Sequence, residues 1–284
     1  MQPPLPSFTE TWHNASYPAI SPSRSELSVA NKTIIVTGAG SGIGRATAAS
    51  FSRAGASKII LLGRTQSTLE ETQKLLSCPS SICVADITDE KRIAEIAASI
   101  GTWDILLLAA AYISSPSSIQ FASITDWWQN LETNLKGSLI AVKSLLPTAR
   151  PAHATVIGYT AAITFPATML TGLSAYGISK LAIVKLMEYI AAENPSIFTA
   201  ALHPGMVETE IFKASGTDSA AVPLDSVELS GDFAVWLASE EASFLNGRYV
   251  WANWDVDELK AKASEIQSGQ LLTASIQGWP FNST

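Results

Sequence analysis

The sequence predicts an α/β fold, a doubly wound parallel sheet in a single domain. Short apolar, β-rich runs alternate with helix-patterned segments from residue 31 to about 252. Those runs are continuously apolar, as strands covered on both faces are. A glycine-rich turn, TGAGSGIG at 37–44, joins the first run to the first helical segment.

The elements follow in order. Residues 1–30 read as an extended arm. Thr33 to Thr37 is the first strand, Ile43 to Ala54 a helix that Gly55 stops, and Lys58 to Leu62 the second strand. Ser67 and Glu70 have capping-box spacing and predict a helix from Ser67 to about Leu76. Ser81 to Ala85 is a strand, Asp89 to Ile100 a helix, and Asp104 to Ala110 a strand. A long helix is expected from about Thr125 to Leu146, then a strand at Ala154 to Tyr159 and a helix at Ser174 to Ala192. Ile197 to Leu202 is a strand. Residues 210–230 are rich in Ser, Asp, Gly and Pro and read as a loop or flap. Val227 to Ala238 predicts a helix and Arg248 to Trp251 a last short strand. The stretch DVDELKAKASEIQSG predicts a charged, solvent-facing helix in a 253–284 extension that packs on the same domain.

Composition narrows the function. Of 284 residues, 47% are hydrophobic and 15% charged, enough for a large core. The net charge of −7 and the lack of a basic run argue against nucleic-acid and anionic-membrane partners. The longest apolar run, Ile105 to Ile113, is too short to span a bilayer. The N-terminus has three early prolines and no apolar stretch, so it does not read as a signal peptide. Two cysteines, Cys78 and Cys83, rule out a disulfide framework and fit a reduced, cytoplasmic setting. His13, His153 and His203 are scattered, so no metal site is expected. Sequons at Asn14, Asn31 and Asn282 read as chance without a secretory signal.

The glycine turn is the strongest motif. Gly38, Ser41, Gly42, Ile43 and Gly44 lie between a strand and a helix mouth. Small residues there let backbone approach a pyrophosphate, and the helix N-terminus offers free N–H groups. This points to a Rossmann-type dinucleotide site, against the alternative of a tight turn with no ligand. An acidic residue at the end of the second strand would select NAD, and an arginine NADP. The sequence there is LLGRT, with Arg64 and no carboxylate, so NADP(H) is the expected cofactor. A merely solvated arginine is the alternative. Asp86, after the third strand, is placed to accept from an adenine amino group or to cap the next helix. Tyr176 and Lys180, four apart, share one helix face, a phenol beside a cation and so a tunable proton donor.

TGAGSGIG, Asp86, Asn134 in TNLKG, YGISK and HPGMVET occur in this order. Together they resemble the short-chain dehydrogenase/reductase superfamily from about residue 31 to 252. The flanks YPAISPSRSELS and GRYVWANWDVDELKAKA are similar to those of fungal members, many in secondary-metabolite pathways. The resemblance implies that Tyr176 is the general acid in carbonyl reduction. It implies that Lys180 binds the nicotinamide ribose and lowers the phenol pKa, and that Asn134 holds a relaying water. It also implies that Val207 and Thr209 contact the nicotinamide carboxamide, and that long helices build a homodimer or homotetramer.

The pattern breaks in two places. The family's Asn-Ala-Gly element, near the cofactor, aligns with an Ala-rich stretch that puts Ala109 at the asparagine position. The family strand that ends in two small hydroxyl residues aligns with ATVIGYTA. Thr160 then takes the first position and Ala161 the second, whose hydroxyl normally donates to the substrate oxygen. Thr160 is a candidate replacement and Thr164 a further one, whereas Ser174 is too close to Tyr176. Losing one such donor costs roughly a hundred- to a thousandfold in turnover. Phe165, Met169, Leu170, Ile211 and Phe212 suggest a hydrophobic substrate. Trp127 and Trp128 read as core or oligomer contacts. The leading expectation is an NADP-dependent ketone reductase or alcohol dehydrogenase acting on a lipophilic intermediate. The alternatives are a non-redox cyclase, isomerase or dehydratase on the same fold, and a cofactor-binding protein with little catalysis.

Overall fold

Seven parallel strands form one sheet in the order β3-β2-β1-β4-β5-β6-β7. They are β1 (Thr33–Thr37), β2 (Lys58–Gly63), β3 (Ser80–Val84), β4 (Ile105–Leu108), β5 (Thr155–Tyr159), β6 (Phe198–His203) and β7 (Arg248–Trp251). The computed structural model describes every residue except 152, 153, 162, 164, 221 and 277–284. Thr164, His153 and the Asn282 sequon lie outside the described residues.

Strand order reverses between β1 and β4, so a crevice opens at their carboxyl ends. Helices cover both faces and bury the strands except the edge strand β3, which is only partly buried. α1 (Gly42–Arg53) packs against α8 (Val227–Leu237), with α2 (Gln66–Gln73) beside it. α3 (Glu90–Ile100) packs against α5 (Gly137–Leu145), and α6 (Ser174–Glu193) lies along β5 and β6. Asp232 of α8 joins the first pair. It accepts from Ser50 Oγ at 2.7 Å and Arg53 Nη2 at 2.6 Å, and from Ser16 Oγ of the arm at 2.6 Å.

Several elements depart from expectation. α2 starts at Gln66, and its N-cap Thr65 makes no side-chain cap bond, so the Ser67–Glu70 capping box does not form. Its first turn is closed by Thr68 Oγ1 donating to the Thr65 carbonyl at 2.9 Å, and Glu70 accepts from Gln66 Nε2 at 2.8 Å. The long helix is broken by a π turn. α4 (Ile124–Asn130) passes through a π-helical segment, Leu131–Lys136, into α5. β4 stops at Leu108 because the next two N–H groups bond to the Thr37 hydroxyl. The 210–230 region holds a short helix, α7 (Glu210–Ala214). The C-terminal helix is two, α9 (Val256–Ala261) and α10 (Ala263–Ser268), and Val256, Leu259 and Ile266 are fully buried rather than solvent-facing.

The N-terminal arm packs on the body. Trp12, Ile20, Leu27 and Val29 are buried, and Trp12 pairs with Trp254 in an antiparallel bridge. His13 N–H donates to the Asn253 carbonyl and Asn253 Nδ2 donates back to the His13 carbonyl, both at 2.9 Å. The Trp12 and Trp251 rings lie 5.6 Å apart, tilted. Among the described residues no helix is long and apolar enough to cross a membrane.

Trp12→Ala removes a large buried side chain and is expected to cost about 3–5 kcal/mol. Urea unfolding checks this, with a lowered midpoint and an unchanged slope expected.

Candidate active site

The glycine turn is shaped by close backbone packing. Gly38 has φ +66°, and a Cβ there would lie 2.7 Å from the Ala110 nitrogen. A Cβ at Gly44 would lie 2.3 Å from the Gly38 carbonyl oxygen. No other residue fits either place. Ser41, the N-cap of α1, makes no side-chain cap bond, so the first-turn N–H groups of Gly42, Ile43 and Gly44 remain available to an anion. The loop's carbonyls are tied elsewhere. Thr72 Oγ1 donates to the Ala39 carbonyl at 2.8 Å and Arg45 Nη2 to the Gly40 carbonyl at 2.6 Å.

Thr37 does what the missing asparagine would have done. Its hydroxyl accepts from the Ala109 and Ala110 N–H groups, both at 3.1 Å, and donates to the Leu107 carbonyl at 3.3 Å. One hydroxyl thus knits β1 to the exit of β4. Sequence reading identified the lost amide and missed this replacement.

Arg64 leaves β2 exposed and lines the same cavity as the glycine turn. Asp86 lines it too, accepting from Thr88 N at 2.8 Å and Thr88 Oγ1 at 2.6 Å. Burial opposes its ionisation, but the Thr88 bonds and the Arg64 charge hold its carboxyl below the usual value. The helix-cap role belongs to Asp89, which accepts from Arg92 N at 3.0 Å. Asp86 stands outside that cap.

Tyr176 and Lys180 sit on one face of α6, with Nζ 5.5 Å from the phenol ring centroid. The Tyr176 hydroxyl makes no hydrogen bond among the described residues. Lys180 is 3% exposed and donates to the Tyr159 carbonyl at 2.9 Å. Burial lowers its pKa to about 8, and burial raises that of the Tyr176 phenol. Burial is what raises the phenol, so the protein framework by itself does not show the lowering expected from Lys180.

Asn134 occupies the π turn and does not line the cavity. Its Oδ1 accepts from Tyr112 N at 2.7 Å, and its Nδ2 donates to the Tyr112 carbonyl at 2.9 Å and to Ser179 Oγ at 2.8 Å. Ser179 Oγ donates in turn to the Tyr176 carbonyl at 2.8 Å. Both amide protons are used in fastening the loop after β4 to the first turn of α6, so Asn134 acts here by positioning.

Thr160 lines the cavity but is 3% exposed, and its Oγ1 donates to the Lys180 carbonyl at 2.8 Å. Its proton is committed to α6, which argues against the expected donor role. Ser174 Oγ accepts from Trp127 Nε1 at 3.0 Å, so Trp127 is half-buried against α6, whereas Trp128 is 52% exposed.

The cavity has a volume of about 1030 Å³. Ile163, Phe165, Met169, Leu170 and Leu173 form one wall, and Ile211 and Phe212 of α7 another. Val207 is buried beside it. Thr209 caps α7, accepting from Phe212 N at 3.2 Å, and its methyl lies against Gly42. Ala109 forms part of the floor. His203, at the end of β6, also lines the cavity. It was passed over in the sequence, although a histidine directly ahead of the PG turn was the signal. Among the described residues no group of three or more His, Cys, Asp or Glu could hold a metal.

The comparisons agree with this geometry. The short chain dehydrogenase family model matches residues 32–220. The short chain dehydrogenase citE of Monascus ruber is 33% identical over 95% of this chain and 98% of its own. A short chain dehydrogenase/reductase of Claviceps purpurea is 33% identical over 96% of this chain and 95% of its own. Among solved structures, a Pseudomonas syringae protein at 24% identity shares the fold with a TM-score of 0.74, covering 81% of this chain and 98% of that one. A Beutenbergia cavernae dehydrogenase with NADP bound at low occupancy is 27% identical with a TM-score of 0.71, covering 80% and 97%. The seven-stranded parallel sheet, the glycine turn and the Tyr176–Lys180 pair thus have their counterpart in sequence: the chain belongs to the short chain dehydrogenase family.

Proposed function

We propose that the protein is an NADP(H)-dependent ketone reductase or alcohol dehydrogenase acting on a lipophilic secondary-metabolite intermediate. The observation that carries this is the Tyr176 hydroxyl, unpaired among the described residues, beside Lys180 in a large apolar-walled cavity that runs on to the glycine turn. A bound reduced nicotinamide supplies the hydride. The α1 N-terminus would hold the pyrophosphate, Arg64 would meet the 2′-phosphate, and Asp86 would accept from the adenine amino group. Val207 and Thr209 face the carboxamide. Tyr176 gives its proton to the carbonyl oxygen, and Lys180, with a pKa of about 8, holds or passes a proton near neutral pH. Asn134 keeps α6 and the loop after β4 in register for this step.

Support for NADP(H) comes from the exposed Arg64 at the cavity and the absence of a carboxylate in LLGRT. Support for the substrate class comes from the apolar walls and the fungal relatives. Exposed apolar side chains, Trp128 and Leu139 of the broken helix and Ile178, Leu181 and Tyr189 of α6, support the reading of a homodimer or homotetramer.

One observation favours a second reading, a non-redox cyclase, isomerase or dehydratase. Thr160 gives its proton to the backbone and Ala161 has none to give. Incubation with NADPH and candidate intermediates, following cofactor oxidation and product mass together, separates the two. Product without NADPH oxidation would establish the second.

Tyr176→Phe is expected to lower reduction by about a hundred- to ten-thousandfold with NADPH affinity retained, and steady-state kinetics with cofactor titration check it. Arg64→Ala is expected to weaken NADPH by about 1.5–3 kcal/mol, roughly ten- to a hundredfold in Kd, and to leave NADH nearly unchanged. Fluorescence titration of both cofactors measures this, and equal or tighter NADH binding by the unaltered protein would refute the NADP assignment.

A further inference from the structure

The cavity lacks a free hydroxyl where Thr160 and Ala161 stand, and His203 adjoins that gap. β6 lies beside β5, with Tyr159 in register with Leu202, and Thr160 N–H donates to the Leu202 carbonyl at 2.9 Å. His203 is therefore the lateral neighbour of Thr160, about one strand spacing (~4.8 Å) away. It lines the same cavity as Ala161, Tyr176 and Lys180.

The ring is held in one plane and one tautomer. It stacks on Trp251 with centroids 3.8 Å apart and planes 5° from parallel. Gly205 N–H donates to its Nδ1 at 3.0 Å. A ring nitrogen that accepts carries no proton, so the proton of the neutral imidazole is on Nε2. Burial lowers the His203 pKa to about 3; the residue's own backbone opposes this, and the Lys180 charge acts with burial. Burial and the Lys180 charge both favour the neutral ring.

That N–H has no protein partner among the described residues, and the ring, though only 2% exposed, is part of the cavity wall. A fixed, uncharged, unspent donor at the wall of an apolar cavity is preorganised for an oxygen that gains charge.

We propose that His203 is a catalytic residue whose Nε2–H donates a hydrogen bond to the substrate oxygen, in the place of the absent serine hydroxyl. The proposal rests on the reductase reading above. In the step, a bound NADPH would supply the hydride that forms the C–H bond at the carbonyl carbon. The C=O π pair moves to oxygen, and oxygen takes its proton from Tyr176. Ketone, NADPH and a proton give alcohol and NADP⁺. His203 keeps its own proton throughout and lowers the energy of the charge that builds on oxygen. A stacked aromatic ring would serve the Trp251 contact equally well, so the N–H is what the test must isolate.

The full chain, His203→Phe, His203→Gln and Tyr176→Phe are assayed with NADPH and trans-1-decalone, a bicyclic lipophilic ketone, following NADPH oxidation and product mass. His203→Phe keeps the stack and removes the donor. It is expected to lower kcat by about a hundred- to a thousandfold with NADPH affinity unchanged. His203→Gln is expected to recover part of the loss, and adding Ala161→Ser to His203→Phe to recover more. If His203→Phe turns over normally while Tyr176→Phe does not, the inference falls and the reductase reading stands. If the unaltered protein forms product from pathway intermediates without oxidising NADPH, the reductase reading falls and takes this one with it. Nitrogen-15 histidine NMR is independent of any substrate, with the His203 signals assigned by their loss in His203→Gln. The neutral Nε2–H tautomer at pH 7 is expected; an Nδ1–H tautomer or an imidazolium overturns the proposal.

Discussion

The site depends on how closely the backbone after β1 approaches the backbone after β4. Gly38 and Ala110 come so near that a single methyl on Gly38 would collide with main-chain atoms. The Thr37 hydroxyl holds the two strands at that separation by bonding Ala109, Ala110 and Leu107 at once. The approach forces glycine on one side and favours small residues on the other. It also aims the uncapped N-terminus of α1 into the crevice where the strand order reverses. The same junction reaches the chemistry by a short route. The loop leaving β4 passes Tyr112, whose backbone is clasped by Asn134, and Asn134 bonds Ser179 in the turn that carries Tyr176. The glycine turn and the Tyr176 turn of α6 are thus tied through the loop after β4.

A second connection runs from the terminal segments to the far wall of the cavity. Trp12 of the arm leans on Trp251 of β7, and Trp251 stacks on His203 and meets Phe165 edge-on at 6.0 Å. His203 and Phe165 both line the cavity. Asn14 and Ser226 extend the contact, since Asn14 Nδ2 donates to Asp225 Oδ1 at 3.0 Å and Asp225 Oδ2 accepts from Met206 N at 2.6 Å. Ser226 N–H donates to the Asn14 carbonyl at 2.8 Å. The arm therefore packs behind the Phe165 and His203 wall of the cavity and behind the segment that follows β6. A change far out in the arm has a physical route to pocket shape that needs no contact with substrate.

What the sequence disclosed and what it hid divide by range. The strands were legible because a continuously apolar run of five or six residues, flanked by helical periodicity, has few other uses. Tyr176 and Lys180 were legible because helix spacing alone puts them on one face. The capping box at Ser67 misled because Thr65 starts the turn earlier and Thr68 closes it, a choice made by the path out of β2. The π turn at Leu131–Lys136 left no mark in the apolar pattern, because one extra residue in a turn barely shifts the periodicity. The burial of Val256, Leu259 and Ile266 was hidden by charged neighbours that face outward. His203 and Thr37 were missed because their roles come from residues far away in the chain. Thr37 is defined by Ala109 and His203 by Trp251.

The fate of the Thr160 hydroxyl shows how such a departure is tolerated. Its bond to the Lys180 carbonyl joins the end of β5 to α6 at the residue whose ammonium also returns to the Tyr159 carbonyl. Strand end and helix are thereby stitched twice, within one residue of each other on both elements. A hydroxyl spent this way fixes the depth of Lys180 and the approach of Tyr176 four residues earlier. It cannot also offer that proton to a substrate. The two jobs compete for one hydrogen, so under the proposed reductase reading a second donor has to come from another residue. β6 is the strand in register, and the side chain at its carboxyl end is an imidazole whose other nitrogen is already occupied by Gly205.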